Sequence, residues 1–252
     1  DVTPAAPAES APKGEAALIR FLSHPRLAPR LALLSVLFSS PALFLGFYLD
    51  DWVGRYIYSD LPGAKELYRL YSGGYGLATG VPSEMRAMIE AGWAPWWGYE
   101  HLRLSLYRPL SLLTHHLDEL WLDNAFLMHA HNFVWLFLLV LAATRLYRGA
   151  LGVVAGGMAA LLFALDHTHG FIVGYICNRH ALVTALFGVL ALDLYLRARK
   201  SGDTRVYLSS LGCYVLSLLS GEAGVSIAAY VLAHAAVSDS SPLSRRVLSA
   251  LP

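Results

Sequence analysis

Two adjacent carboxylates, Asp50 and Asp51, close the first long apolar run of the chain, Leu31–Tyr48. An ionised carboxylate is costly inside hydrocarbon. A pair at this exit therefore belongs just beyond it, where it can accept a proton or bind a cation. The alternatives for the same residues are a cap on an interfacial helix or an ion pair with Arg55. Arg179 stands beside the start of another apolar run, where an unpaired charge is expensive, so it calls for a partner or a ligand. Arg108 has a structural salt bridge as its plain alternative, and Glu222 is isolated in a short turn. The ten histidines include His115-His116, His129-x-His131 and His167-x-His169. None of these pairs has the four-residue helical spacing that puts two imidazoles on one metal. Polar packing at helix ends is thus favoured over a histidine metal site.

These residues need a scaffold, and the composition says which kind. Hydrophobic residues make up 56% of the 252-residue chain and charged residues 15%, against roughly a quarter charged in an ordinary soluble domain. That imbalance predicts an all-α, polytopic transmembrane helix bundle. A net charge of +1 says nothing useful about nucleic acid, since the basic residues fall in short clusters between apolar runs; the expected partner is a lipid bilayer, with no nucleic acid. Cys177 and Cys213 lie in apolar segments and read as buried thiols. Residues 1–30 read as a disordered, cytoplasmic N-terminal segment, since Asp1–Glu15 is rich in Ala, Pro and Ser. The transmembrane domain is expected over residues 31–237, followed by a cytoplasmic tail or the start of a further part at 238–252. The chain begins without Met and stops at Leu248-Ser-Ala-Leu-Pro252, as a piece of a longer protein would.

After Leu31–Tyr48, apolar runs recur at Phe126–Ala143, Ala150–Leu165, Ala181–Leu196, Val206–Leu219 and Val225–Val237, which predicts six spans, with five as the alternative. Lys and Arg collect in alternate connections: Lys13, Arg20, Arg26 and Arg30; Arg145 and Arg148; Arg197, Arg199, Lys200 and Arg205; Arg245 and Arg246. The opposite turns, Asp166–Gly170 and Ser220–Gly224, carry neither. The positive-inside rule then puts Asp50, Asp51 and the loop over residues 50–124 on the outer face. Gly152-x-x-x-Gly156, Gly157 and Ala159-Ala160 make a small-residue face suited to close helix packing.

The outer loop should carry interfacial helices. Pro82-Ser83 starts one through Glu90, with Ser83 as N-cap and Gly92 as its end. Pro109 starts another to about Trp121, with Leu110, Leu113, Leu117 and Leu120 on one face and Ser111, His115, Asp118 and Glu119 mostly opposite. Trp93, Trp96 and Trp97 serve either as interfacial anchors or as a stacking surface for a sugar or lipid.

A first span ending in an acidic pair, an outer loop with interfacial helices and then many short-looped spans resembles the GT-C superfamily of integral-membrane glycosyltransferases. Tyr107-Arg-Pro-Leu-Ser-Leu-Leu-Thr-His-His-Leu-Asp-Glu-Leu-Trp121 resembles the Tyr-Arg-Pro-Leu stretch of bacterial relatives of the tetratricopeptide-repeat-containing O-mannosyltransferases. Asn124-Ala-Phe-Leu-Met-His129-Ala-His-Asn132 resembles that group's entry into the second span. Phe163-Ala-Leu-Asp-His-Thr-His169 with Asn178-Arg179 resembles its His-Pro-Val-His…Gly-Arg-Lys-Asp turn, and Leu219-Ser-Gly-Glu222 its Ser-Lys-Glu. The pattern departs at Asp166, His167, Phe171, His180, Ala181 and Gly221.

The resemblance implies inverting transfer of a sugar from a polyprenyl-phosphate donor to a hydroxyl of a protein, lipid or glycan acceptor, on the periplasmic face of a bacterial inner membrane. It makes Asp50 or Asp51 the base. It makes Arg108, His169 and Arg179 the candidates for the donor phosphate, with Trp96, Trp97, His129 and Glu222 as further substrate contacts. A divalent cation, Mg or Mn, shared by Asp50 and Asp51 is the cofactor alternative, because some members of the superfamily use one. The departures motivate a different class of function, a non-catalytic membrane scaffold or assembly subunit. A small-solute transporter is the weaker rival, since no broken-helix repeat is present.

Overall fold

A computed structural model of the chain describes residues 13–57, 59, 76–92, 94–118 and 124–238. Among the described residues, helices dominate. The first, α1 (Lys13–Leu22), is followed after a short turn by α2 (Leu27–Ser39) and a 3-10 turn over Ser40–Phe44. Residues 13–22 and 27–30 are thus helical rather than disordered. The reason is burial: Leu22, Leu27 and Leu31 are enclosed, so these leucines find a core to bury against.

Among the described residues, three segments are long and apolar enough to cross a membrane: Leu27–Phe44, Ala125–Leu151 and Ile176–Ser201. The second is helix α6, whose 27 residues span about 40 Å at 1.5 Å per residue, more than the hydrocarbon thickness. Asn124 caps it, its side-chain oxygen accepting from Leu127 N at 3.1 Å. Gly152, at φ +83°, then turns the chain into α7 (Val153–Ala164). The third is α9 (Arg179–Ser201), closed by Gly202 in the left-handed conformation. The other predicted spans fold as shorter helices: α7 has 12 residues, α10 (Thr204–Leu218) 15 and α11 (Ser226–Val237) 12.

The small-residue face of α7 packs as its composition predicts. A Cβ on Gly156 would strike the Tyr147 carbonyl, and one on Gly157 would lie 2.8 Å from the Leu22 carbonyl oxygen. Leu27, Leu31, Phe133, Leu136, Val140, Ala160, Leu182 and Leu186 meet in the core. Leu33, Leu37, Val134, Leu162 and Leu208 face outward, which suits a lipid environment rather than water.

The fold is mostly helical, as expected, and adds one short two-stranded ladder between residues 76 and 105. Strands β1 (Gly76–Thr79) and β2 (Arg103–Ser105) pair antiparallel, with Ala78 opposite Leu104 and Thr79 opposite Arg103. They bracket α4 (Pro82–Glu90). That helix starts two residues earlier than Ser83 as its N-cap would place it. Pro82 takes the first position, where its missing N–H costs nothing, and Val81 rather than Ser83 precedes it. Gly92, at φ +75°, follows its end.

Helix α5 (Pro109–Asp118) carries the most informative inversion. Its polar face, Ser111, Thr114 and Asp118, is buried, while Leu113 and Leu117 are exposed. Ser111 Oγ donates to the Ser220 carbonyl at 2.7 Å, and Leu110 N to the Leu219 carbonyl at 3.0 Å. The leucine face is left turned outward, as an interfacial helix requires. Glu119, Leu120 and Trp121, predicted to extend it, lie outside the described residues.

Candidate functional site

The turn that carries the acidic pair is conformationally unusual. Gly46 has φ +72° and Leu49 φ +48°, Leu49 being the one non-glycine residue with positive φ among the described residues. Tyr48 N donates to Asp51 Oδ2 and Asp51 N to the Tyr48 carbonyl, both at 3.0 Å, which locks the turn before α3 (Asp51–Ile57). A left-handed leucine costs roughly 1–2 kcal/mol, and such outliers gather where surrounding contacts over-determine them. Leu49 is exposed, so replacing it sacrifices little packing. Leu49→Asn should therefore keep or raise the unfolding temperature of the detergent-solubilised protein. Leu49→Val, with a branch at Cβ, should lose about 1 kcal/mol.

The two aspartates have different surroundings. Asp51 is buried, and besides Tyr48 it accepts from Cys177 N at 2.8 Å and Ile176 N at 3.3 Å. Burial raises its carboxyl above the usual range, while these amides pull the other way. With both oxygens accepting from backbone amides, Asp51 caps the 3-10 turn Ile176–Asn178. Asp50 is exposed, and its Oδ2 accepts from Tyr175 Oη at 2.6 Å. Burial and then this contact push the Tyr175 phenol well above its usual value, so it stays a donor. Arg55 stacks over the Phe47 ring at 4.5 Å.

Of the three candidates for a phosphate, two are built into the fold. Arg179 is fully buried at the start of α9. Its guanidinium meets Asp118 Oδ2 at 2.5 Å, Asn132 Oδ1 at 2.6 Å, the Thr114 carbonyl at 2.9 Å and the Met128 carbonyl at 3.3 Å. Asp118 also meets His131 Nδ1 at 2.8 Å. This hub fastens α5, α6 and α9 together, so Arg179 has a partner and offers no surface to a ligand. Burial, then the Arg179 guanidinium, hold neighbouring His115 well below the usual imidazole range. His169 is buried too, donating from Nε2 to the Phe163 carbonyl at 2.7 Å with its ring edge-on to Phe163. It lies in the first turn of α8 (Thr168–Val173) and ties back to the last turn of α7 rather than facing an anion. His129, a candidate substrate contact, is likewise enclosed, its ring set between the carbonyls of Gly46 at 2.7 Å and Val173 at 3.0 Å. Asn132 Nδ2 donates to the same Val173 carbonyl.

Arg108 and Glu222, 114 residues apart, form a forked ion pair: Nη2 to Oε2 at 2.6 Å and Nε to Oε2 at 2.9 Å. Glu222 is half exposed, and the Arg108 guanidinium holds its carboxyl below the usual range. Gly221 allows this turn to lie close to α9, since a Cβ there would stand 2.6 Å from Thr184 Oγ1 and 3.6 Å from the His180 ring. Residues 175–180 thereby connect the two exposed polar groups. Their start holds Asp50 and Asp51, and His180 at their end adjoins the turn bearing Glu222.

Trp96 and Trp97 are 81% and 70% exposed, with rings edge-on at 5.2 Å. Trp93 lies outside the described residues. A cavity of about 220 Å³ lined by Arg199, Asp203, Thr204 and Tyr207 sits at the opposite end of α9. Among the described residues no cluster of three or more His, Cys, Asp or Glu has metal-binding geometry. Tyr175 is the site residue that sequence reasoning missed. It lies 125 residues from Asp50 and no local pattern marks it.

No family model, curated protein or solved structure matches this chain.

Proposed function

We propose that this chain is an integral-membrane glycosyltransferase of the GT-C type, moving a sugar from a polyprenyl-phosphate donor to an acceptor hydroxyl with inversion. One observation carries the reading. Asp50 is an exposed carboxylate just past the first apolar helix, held at one oxygen by Tyr175 while its neighbour Asp51 is consumed by the fold. Asp50 takes the acceptor proton as the acceptor oxygen bonds to the anomeric carbon. The carbon–oxygen bond to phosphate breaks on the opposite face, and the phosphate leaves with the electron pair. Arg108 is the cation left to meet it, with Glu222 orienting the guanidinium. A divalent cation, where one is used, would take Asp50 and the donor phosphate rather than both aspartates. The acceptor is a protein, lipid or glycan hydroxyl.

The three apolar segments long enough to cross a membrane and the alternating basic clusters support an integral-membrane chain, by the resemblance in a bacterial inner membrane, with Asp50, Arg108 and Glu222 on the periplasmic side. A Trp97→Cys variant in a background lacking Cys177 and Cys213 should then react with an impermeant thiol reagent added from outside. Labelling only from the cytoplasmic side would overturn the orientation.

A second reading, a non-catalytic membrane scaffold, is favoured by the burial of Arg179, His169 and His129 inside the packing. Donor binding separates the two when read beside turnover. With labelled polyprenyl-phosphate sugar and protein in liposomes, the enzyme reading expects donor consumption. It also expects Arg108→Ala to weaken donor binding about tenfold or more, the worth of a lost charge-assisted contact. Binding without consumption would favour the scaffold, and unaltered binding in Arg108→Ala would remove Arg108 from the donor site.

A further inference from the structure

Asp50 and Tyr175 come from distant parts of the chain, and several contacts converge to bring them together. Asp51 accepts from the amides of Ile176 and Cys177, which pins the segment immediately after Tyr175 against the Asp50 turn. The Tyr175 ring is held edge-on by Tyr48 at 6.2 Å and by Phe171 at 6.0 Å. Its hydroxyl then reaches Asp50 Oδ2 at 2.6 Å. We propose that Tyr175 is the positioning residue for Asp50, engaging Oδ2 so that Oδ1 alone is presented to the acceptor hydroxyl. The assignment rests on the glycosyltransferase reading for its purpose, although not for its test.

This arrangement explains why two adjacent aspartates are used. Asp51 docks the 175–177 segment, and the docked segment delivers the phenol to Asp50. A carboxylate with both oxygens free rotates about its terminal torsion, which is broad. The phenol removes that freedom and leaves one carboxylate oxygen to face the acceptor. Phe171, where the resembling turn carries an acidic residue, supplies an uncharged wall to Tyr175. The titratable groups that meet around Asp50 include Asp51 on its own turn and Tyr175 and Cys177 from the docked segment.

Tyr175→Phe keeps the ring and its packing but deletes the donor, so it isolates this one contact. The full chain in nanodiscs, labelled with 13C at aspartate carboxyls, reports on Asp50 directly, Asp50→Asn identifying its signal. In Tyr175→Phe, at one fixed pH, the Asp50 carboxyl resonance should shift as the hydrogen bond at Oδ2 is lost. Turnover should fall about tenfold in kcat with KM unchanged, the worth of a hydrogen bond to a charged group. A purely structural tyrosine would lower the unfolding temperature and leave the Asp50 resonance in place. Superimposable Asp50 resonances in wild type and Tyr175→Phe would overturn the proposal. Absence of sugar transfer in the wild type would instead strike the glycosyltransferase reading, while the carboxyl resonance would still decide Tyr175's hold on Asp50.

Discussion

Replacing Arg179 with methionine should destabilise the protein by about 3–5 kcal/mol, the range found when one member of a buried ion pair is removed. The magnitude follows from what remains. Asp118 is buried and loses the guanidinium at 2.5 Å, keeping only His131. Asn132 Oδ1 and the Thr114 and Met128 carbonyls lose their donors as well. Each is enclosed where water cannot substitute readily. Asp118→Asn in the same chain should recover part of the loss, because it deletes the stranded charge, and this coupling is what a double-mutant cycle measures. Thermal unfolding in detergent checks both variants. Wild-type stability in Arg179→Met would mean that the guanidinium is not holding α5 to α6 and α9, and would reopen it as a ligand-binding group.

The second large effect separates the adjacent aspartates. Asp50→Asn should leave the fold intact, because Asp50 is exposed and its recorded side-chain contact is the Tyr175 hydroxyl. It should lower turnover by at least about a hundredfold, as removal of a general base does. Asp51→Asn should do the reverse. An amide presents one acceptor oxygen where the carboxylate presents two, and its NH2 would face a backbone N–H of Tyr48, Ile176 or Cys177. An unsatisfied buried group of this kind costs about 1–3 kcal/mol, so stability falls and the Asp50 turn loosens. Activity and unfolding temperature measured on both variants check the division. Equal loss of activity with no loss of stability in Asp51→Asn would contradict it.

Much of the scaffold can be read locally. Apolar runs mark the long helices, Pro82 and Pro109 mark helix starts, and the glycine-rich face of α7 marks a close approach. The expense of an isolated Arg179 beside an apolar run correctly called for a partner, and Asp118 on the polar face of α5 supplies it. What could not be read depends on contacts between distant residues. Asp50 and Asp51 are chemically identical neighbours, and only amides 125 residues away make one structural. His129 and His169 look like ligands in a motif, yet backbone carbonyls enclosed with them take their N–H groups. The β1–β2 pair was also hidden, because a strand of three residues is too short to show alternation. Helix length is similarly non-local. Gly152 ends α6 and starts α7, converting an apolar run of spanning appearance into a helix of 12 residues.

The central claim is that an exposed Asp50, and not Asp51, is the base for sugar transfer from a lipid phosphate. The most direct measurement is transfer of labelled sugar from a polyprenyl-phosphate donor by purified wild type and by Asp50→Asn, each shown to be folded by its unfolding transition. The account predicts transfer by the wild type and its near-complete loss in Asp50→Asn at unchanged donor binding. Equal transfer by both proteins would contradict it.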